Sequence, residues 1–425
     1  MSRHVERVEH LEGTIKVPGD KSASHRALML SALAAGESSI EGLSSGHDVA
    51  ATSQIMVQLG AERHDEGARA YVVGPPDGLR ASDQVLQCAN SGTTIRLVSG
   101  IVSGIEGRHR LEGDASLSRR PMDRVAIPLG LMGAQVIGQG ERVTAPLEIL
   151  GASTLHGIDY QVPTPSAQVK SAILLAGLFA VGSTTVREAL RTRSATEDML
   201  RAAGVDVASR DEGAGRVVTL TPSRPAPQHW RVPSDPSQAA FFCVLAAIHP
   251  DADITVVEVE DSPERIGFVN VLRRMGADLE RQSSEAGSTL RVRSSLLSAT
   301  EVHAAEIPSV DEVPILTVAA AAATGVSAFR DMGELRLKES DRFAGALRLA
   351  QALGCRVWSE GDDFFVEGLG SSRRFENFSF DAGLDHRFVM SSAVAGAAGQ
   401  GCDIIGADTV ASSYPQFFDH LASLR

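Results

Sequence analysis

Only four cysteines occur in the 425 residues, Cys88, Cys243, Cys355 and Cys402, and no two lie close enough to form a CxxC pair. That spacing excludes a disulfide framework and a cysteine zinc site, and it fits a reducing compartment. The 12 histidines form no HxxxH pattern, so the usual helical metal-ligand spacing is missing too. Long hydrophobic runs are absent: "ILTVAAAAATG" is among the longest, and it is too short to span a bilayer. The opening "MSRHVERVEH" has no apolar centre of the kind a signal peptide carries. Positive charge is in deficit, with 40 Lys plus Arg against 53 Asp plus Glu for a net −13. That balance argues against nucleic acid or an anionic membrane as the main partner. The expectation is a cytoplasmic protein without a metal, in which any local cluster of cations is informative.

What is present is a repeat. A helix end bearing Leu or Met, then a glycine, a small or branched residue and a strand recur as "IMVQLGAER", "LGLMGAQVI", "MLRAAGVDV", "VLRRMGADL" and "AQALGCRVW". The glycines are Gly60, Gly133, Gly204, Gly276 and Gly354, at intervals of 73, 71, 72 and 78. The next interval ends near the last residue, so six units of about 71 residues account for the chain. Each unit reads as helix, strand, helix, strand, with the glycine as the helix C′ residue that takes positive φ. The first helix of each unit is apolar nearly all round and is expected to be buried. A chain of this length exceeds one hydrophobic core. Six units divide as three and three, with seams at "VPGDKSAS" and "RVPSDPSQAAFF", where Pro, Ser and Asp cluster.

Cations crowd the starts of these helices. In "VPGDKSASHRALMLSALAAG" a helix from about Ala23 to Ala35 carries Lys21, His25 and Arg26 in or just before its first turn. The helix N-terminus already bears about half a positive charge, so cations belong there only if an anion arrives. Arg96, Arg119, Arg120, Lys170, Arg193, Lys338, Arg342 and Arg387 occupy comparable places, with the cap-type residues Ser22, Ser24, Asn90, Ser91 and Ser166 among them. Such a set suits phosphates and carboxylates. In "VDEVP", Asp311 stands before a buried helix as a carboxylate able to accept a proton from a hydroxyl. Each of these also has a purely structural reading. Glu339 and Arg342 can pair at i,i+3, "DHR" can be a local salt bridge, Ser22 and Ser166 can be caps, Gln168 can be exposed, and Asp311 can cap its helix.

The stretches "GDKSASHRALMLSALA", "NSGTTIRL", "GDASLSRRPM", "SAQVKSAILLAG", "VDEVP", "LRLKESDR" and "DHRFVMS" resemble, in order and spacing, those of the 5-enolpyruvylshikimate-3-phosphate synthase family. The resemblance covers nearly the whole chain. It implies a two-domain inverted (inside-out) α/β barrel of six βαβαββ repeats, three per domain. One domain is expected over 1–20 plus 236–425, and an inserted shikimate-phosphate-binding domain over 21–235. The implied reaction transfers the enolpyruvyl group of phosphoenolpyruvate to the 5-hydroxyl of shikimate 3-phosphate and releases phosphate, without metal or organic cofactor, in a monomer. By motif match, Lys21, Ser22, Arg26, Ser166, Ala167, Gln168, Arg193, Ser194, Asp311 and Lys338 are implied for shikimate 3-phosphate. Lys21, Asn90, Gly92, Thr93, Arg120, Gln168, Arg342 and Arg387 are implied for phosphoenolpyruvate. Asp311 resembles the base for the 5-hydroxyl, Glu339 the acid that protonates the methylene carbon, and Lys21 reaches both substrates. The herbicide glyphosate is implied to sit in the phosphoenolpyruvate place beside Gly92.

Departures are visible as well. Ser412 in "SSYP" stands where one branch of the family has lysine, and Leu97 follows Arg96. Two other readings differ in prediction. The sister enzyme UDP-N-acetylglucosamine enolpyruvyl transferase has Lys-Asn in place of Lys21-Ser22 and a reactive cysteine in its mobile loop, whereas "GDASLSRRPM" has none. A non-catalytic paralogue predicts gaps among Lys21, Asp311, Glu339 and Arg387, and none is missing.

Overall fold

The computed structural model of the chain describes residues 2–370 and 374–424. Contacts divide it into two units, Met1–Asp20 with Pro233–Arg425, and Lys21–Val232. The second boundary falls at 232/233 rather than at 235/236. Pro233 to Asp235 belong with the termini because Asp20 N donates to Pro233 O at 2.7 Å, Asp235 N to Pro18 O at 2.9 Å, and Ser234 N to Glu258 O at 2.8 Å. Arg265 closes this join, reaching Asp20 at 2.6 Å and Asp235 at 3.0 Å.

In the Lys21–Val232 unit one pattern is used three times. The middle copy shows it whole: strand Leu86–Gln87, helix Gly92–Ser103, strand Gly107–Glu112, helix Asp123–Met132, then strands Gln135–Gln139 and Thr144–Gly151. The first two strands run parallel, as a helical crossover requires, and the last two add antiparallel. Four-stranded sheets of the same order recur in both units. The closing hairpin strand of the first five copies is absent from the helix–strand–helix–strand reading of the sequence. Its turn glycines Gly67, Gly140, Gly213 and Gly361 sit at φ of 61°, 62°, 61° and 63°, the left-handed geometry tight hairpins need.

The five spaced glycines end helices, Gly133 as the C-cap and the other four as C′ residues. Gly60, Gly133, Gly204, Gly276 and Gly354 have φ of 108°, 112°, 80°, 95° and 89°, where a Cβ is disfavoured. Six helices are buried on nearly every face: Lys21–Leu33, Gly92–Ser103, Ala167–Gly177, Pro236–Ile248, Val313–Ala322 and His386–Ala398. The first begins at Lys21, two residues before Ala23, so Lys21 and Ser22 lie within its first turn. Small residues let these helices touch: a Cβ on Gly100 would lie 2.2 Å from the Ala172 carbonyl oxygen. Each unit has its own apolar core.

The first strands of the two units are exchanged along the chain. Leu11–Ile15 precedes the Lys21–Leu33 helix but pairs with Ala252–Val259, while His229–Arg231 precedes the Pro236–Ile248 helix but pairs with Gly36–Glu41. This exchange requires the chain to cross twice. The sixth copy ends without a hairpin, and the N-terminal strand Ser2–Val5 pairs antiparallel to Cys402–Ile405 in its stead. Among the described residues no helix is long and apolar enough to cross a membrane.

Candidate active site

Each unit gathers the N-terminal ends of its three buried helices, and the candidate side chains lie there. In the Lys21–Val232 unit, Lys21 Nζ meets Asp48 Oδ2 at 3.0 Å. Arg26 is buried, its Nε on Thr196 Oγ1 at 2.6 Å, one terminal nitrogen on the Ser22 carbonyl at 2.9 Å and the other on Ser171 Oγ at 2.9 Å. His25 was counted among the cations by the sequence, but it is neutral. Burial, then Lys21 and Arg26, push its imidazole well below the usual histidine value. Its Nδ1 bonds Thr52 Oγ1 at 2.7 Å, and the chain continues through Thr94 to Ser91, at 2.7 Å for each step.

Ser91 caps the Gly92–Ser103 helix by accepting from Thr94 N at 3.0 Å, and Ser166 caps the Ala167–Gly177 helix by accepting from Val169 N at 3.4 Å. Asn90 is a bridge: its amide donates to Asp114 at 2.6 Å and its oxygen accepts from Arg120 at 2.7 Å. Arg120 also donates to Ser116 Oγ at 3.3 Å. Gln168 is not an exposed helix residue. It donates to Thr93 Oγ1 at 2.9 Å and accepts from Arg96 at 2.7 Å. Gly92 lies between the two guanidiniums, since a Cβ there would lie 2.7 Å from an Arg96 nitrogen and 3.0 Å from an Arg120 nitrogen. Hydroxyl, amide and carbonyl acceptors of this kind orient a guanidinium without adding negative charge, and the adjoining helix ends favour anions.

Lys170 is a correction to the set of helix-start cations. Its ammonium is fully buried between Glu188 at 2.8 Å and Glu197 at 2.7 Å, so it is a buried ion pair and not a ligand contact. Arg193 is half-buried in the loop before the Ala195–Ala202 helix, and Ser194 donates to Asp198 at 2.5 Å. Ala167 lends its carbonyl to Ser171 at 2.6 Å.

In the unit that holds the termini, Arg342 organises the site. Its guanidinium is buried and carries Asp385 in a bidentate contact at 2.8 and 3.1 Å, Asp311 at 2.7 Å and Glu339 at 2.7 Å. Asp385 also caps the His386–Ala398 helix through Arg387 N at 3.0 Å. Arg387 reaches Asp311 at 3.8 Å and the Ser237 carbonyl at 3.3 Å, with its Nε lacking a hydrogen-bond partner among the described residues. Asp311 does not cap its helix. Glu312 stands at the cap position, and its own carboxylate is taken by Ser237 and, at 2.8 Å, by Ser309. Burial alone would raise the Asp311 carboxyl, but Arg387, Lys338 and Arg342 outweigh it and hold it well below the usual carboxylate range. Lys338 Nζ contacts Glu334 at 3.0 Å. Ser412 donates to the Thr409 carbonyl at 2.7 Å and lies 3.4 Å from His386 Nδ1.

Three residues of these two clusters were not picked out as site residues from the sequence: Asp48, Asp385 and Arg96. Arg96 had been noted only as a cation. The two aspartates pair with cations 27 and 43 positions away, a distance at which sequence carries no pairing signal. Among the described residues no group of three or more His, Cys, Asp or Glu is placed to hold a metal.

Comparison with known proteins bears on this geometry. The model of the EPSP synthase (3-phosphoshikimate 1-carboxyvinyltransferase) family matches residues 5–421. A 3-phosphoshikimate 1-carboxyvinyltransferase of Synechococcus sp. (strain RCC307) is 44% identical over 98% of this chain and 97% of its own. Another from Gloeobacter violaceus is 44% identical over 98% and 97%. A solved structure of EPSP synthase from Acinetobacter baumannii superposes with a TM-score of 0.85 at 37% identity, covering 100% of this chain and 98% of that one. The enolpyruvyl transferase NikO from Streptomyces tendae, at 18% identity and a TM-score of 0.77 over 99% and 96%, shows the shared fold alone.

Proposed function

This chain belongs to the EPSP synthase family, and from that premise we propose that it transfers the enolpyruvyl group of phosphoenolpyruvate to the 5-hydroxyl of shikimate 3-phosphate, releasing phosphate. The two half-sites are read as serving one pair of substrates, in a monomeric cytoplasmic enzyme. The observation that carries the reading is that the carboxylates of Asp311 and Glu339 both lie 2.7 Å from the guanidinium of Arg342. A base and an acid are thus held together at a cation suited to an anionic substrate.

The roles follow from the charges. Shikimate 3-phosphate is assigned to Lys21, Ser22, Arg26, Ser166, Ala167, Gln168, Arg193, Ser194 and Lys338. The carboxylate and phosphate of phosphoenolpyruvate are assigned to Lys21, Arg120, Arg342 and Arg387, with Asn90, Gly92 and Thr93 forming the loop around them and Gln168 touching both substrates. Arg342 is occupied before an anion arrives. Asp385 grips it from a fully buried position, so the groups that yield are Asp311 and Glu339, which keep partial exposure. An anion that answers Arg342 and Arg387 removes the charges that hold the Asp311 carboxyl down, and its affinity for a proton rises. Asp311 then takes the 5-hydroxyl proton. Glu339, once protonated, delivers its proton to the methylene carbon. The hydroxyl oxygen bonds to the cationic carbon beside it, giving a tetrahedral ketal. Loss of a proton from the new methyl group and cleavage of the bond to the phosphate oxygen restore the double bond and free phosphate. The test is mass spectrometry of the shikimate product. It gains the mass of an enolpyruvyl group only when both substrates and the enzyme are present. An unchanged mass overturns the proposal.

A further inference from the structure

Lys170 lies outside the machinery just described, yet it is the most completely enclosed charge of the Lys21–Val232 unit. Its ammonium meets three groups on or beside one loop. Glu188, the last residue of strand Thr184–Glu188, accepts from it at 2.8 Å. The Thr192 carbonyl, inside the loop, lies at 3.5 Å. Glu197, in the first turn of the Ala195–Ala202 helix, forms an ion pair with the ammonium at 2.7 Å. Thr192 Oγ1 in turn donates to the free oxygen of Glu188. A single ammonium therefore fastens the start, the middle and the end of residues 189–194.

A second rung lies beside the first. Ser171, the residue after Lys170, shares a 2.6 Å hydrogen bond with Thr196, the residue before Glu197. Ser171 donates to the Ala167 carbonyl at 2.6 Å, so Thr196 is the donor in that pair. Thr196 then has its lone pair for Arg26 Nε, at 2.6 Å. The two rungs tie the loop to the helix that begins with Ala167 and Gln168, and through Arg26 to the helix that begins at Lys21. A buried triad of two carboxylates and one ammonium is a poor way to add stability, since apolar residues of the same size usually serve as well or better. It is a good way to fix geometry, because each charge would be costly to leave unpaired.

We infer that Lys170 is a positioning residue: it sets the 189–194 loop so that Arg193 and Ser194 are presented to shikimate 3-phosphate. The inference rests on the function proposed above. It assigns Lys170, Glu188, Glu197 and Thr192 to acceptor-substrate affinity and to nothing else in the reaction.

The test uses the full chain and two variants. Lys170→Met leaves two carboxylates buried without a cation, and it can fail to fold for that reason alone. Thr192→Val removes one hydroxyl from a half-buried loop residue and folds. Binding of shikimate 3-phosphate alone is followed by calorimetry, and the KM for phosphoenolpyruvate is measured at saturating shikimate 3-phosphate. Thr192→Val is expected to weaken shikimate 3-phosphate binding roughly 3- to 10-fold, the effect of one hydrogen bond to a charged group lost at one remove, and a folded Lys170→Met roughly 30-fold or more. The KM for phosphoenolpyruvate stays within about twofold in both, a split that mere destabilisation does not produce. If Thr192→Val binds shikimate 3-phosphate as the wild type does, or if both affinities fall in parallel, the inference is overturned while the proposed function stands. If the wild type binds no shikimate 3-phosphate, the proposed function falls and the inference goes with it.

Discussion

Gly92→Ala is the perturbation whose consequences can be worked furthest. The added Cβ would lie 2.7 Å from an Arg96 nitrogen and 3.0 Å from an Arg120 nitrogen, against 3.4 Å or more in ordinary contact. Arg96 must therefore yield by about 0.7 Å and Arg120 by about 0.4 Å. Both are ends of flexible side chains, and Gly92 has no positive φ to be strained, so the fold survives. The cost falls on function. Arg120 is held by Asn90 at 2.7 Å and Ser116 at 3.3 Å, and under the proposed assignment moving it lengthens its contact with a bound phosphoenolpyruvate anion. Stretching one charge-assisted hydrogen bond by this amount costs about 1 to 1.5 kcal/mol, a roughly 5- to 10-fold rise in KM for phosphoenolpyruvate. Glyphosate, placed against Gly92 by the family resemblance, meets the new methyl directly. Overpacking adds about 1 to 3 kcal/mol, so its inhibition constant rises roughly 10-fold more than KM does. The assay is steady-state inhibition at several phosphoenolpyruvate concentrations, for wild type and variant, with inhibition competitive in both. A variant whose KM and inhibition constant both equal the wild type's would refute the reasoning, because Gly92 would then be only a helix-start residue.

Three further outcomes follow from particular side chains. Asp311→Asn keeps the shape of the site and removes the base, so kcat falls at least ~10²-fold while both substrates still bind; turnover near the wild-type level contradicts the assignment. The fold holds His25 neutral, so the unfolded chain takes up that proton first as pH falls below about 6.5, and stability drops with falling pH by up to about 1.4 kcal/mol per unit for this group. His25→Gln flattens the slope of stability, measured by urea unfolding between pH 7 and 5, by that amount; an unchanged slope shows that His25 is charged in the fold. Burial pushes the Cys355 thiol up to about 11 and those of Cys243 and Cys402 to about 12, and Cys88 is buried too. A disulfide reagent at pH 8 accordingly titrates no thiol rapidly in the native protein and four after denaturation; one fast native thiol counts against the packing around it.

The repeat was legible because its signals are local. A glycine that ends a helix is followed at once by the strand it allows, and an all-apolar helix announces its own burial, as in "ILTVAAAAATG". The hairpin strands were less visible, since Arg69–Gly74 and Gly215–Leu220 each follow the preceding strand after a turn of only two residues, and the two read as one strand-and-loop stretch. The exchange of first strands left no local mark, and only the family resemblance, which joins 1–20 to 236–425, implied it. It is a matter of which sheet Leu11–Ile15 joins, not of what Leu11–Ile15 contains. The candidate residues follow the same division. Lys21, Arg120, Asp311, Glu339, Arg342 and Arg387 were named from motifs, whereas Asp48 and Asp385, which pair with Lys21 and Arg342, were not. Lys170 and Gln168 show the hazard in both directions. One helix-start cation proved to be sealed in an ion triad, and one residue that reads as exposed bridges Thr93 and Arg96.

The most direct measurement of the central claim is a phosphorus-31 NMR spectrum of the purified protein with shikimate 3-phosphate and phosphoenolpyruvate. The account predicts that the phosphoenolpyruvate signal falls and inorganic phosphate rises in equal amount, that the phosphomonoester of the shikimate ring persists on the product, and that omitting either substrate stops the change. Phosphate released from phosphoenolpyruvate without shikimate 3-phosphate, or taken from the shikimate ring, would contradict it.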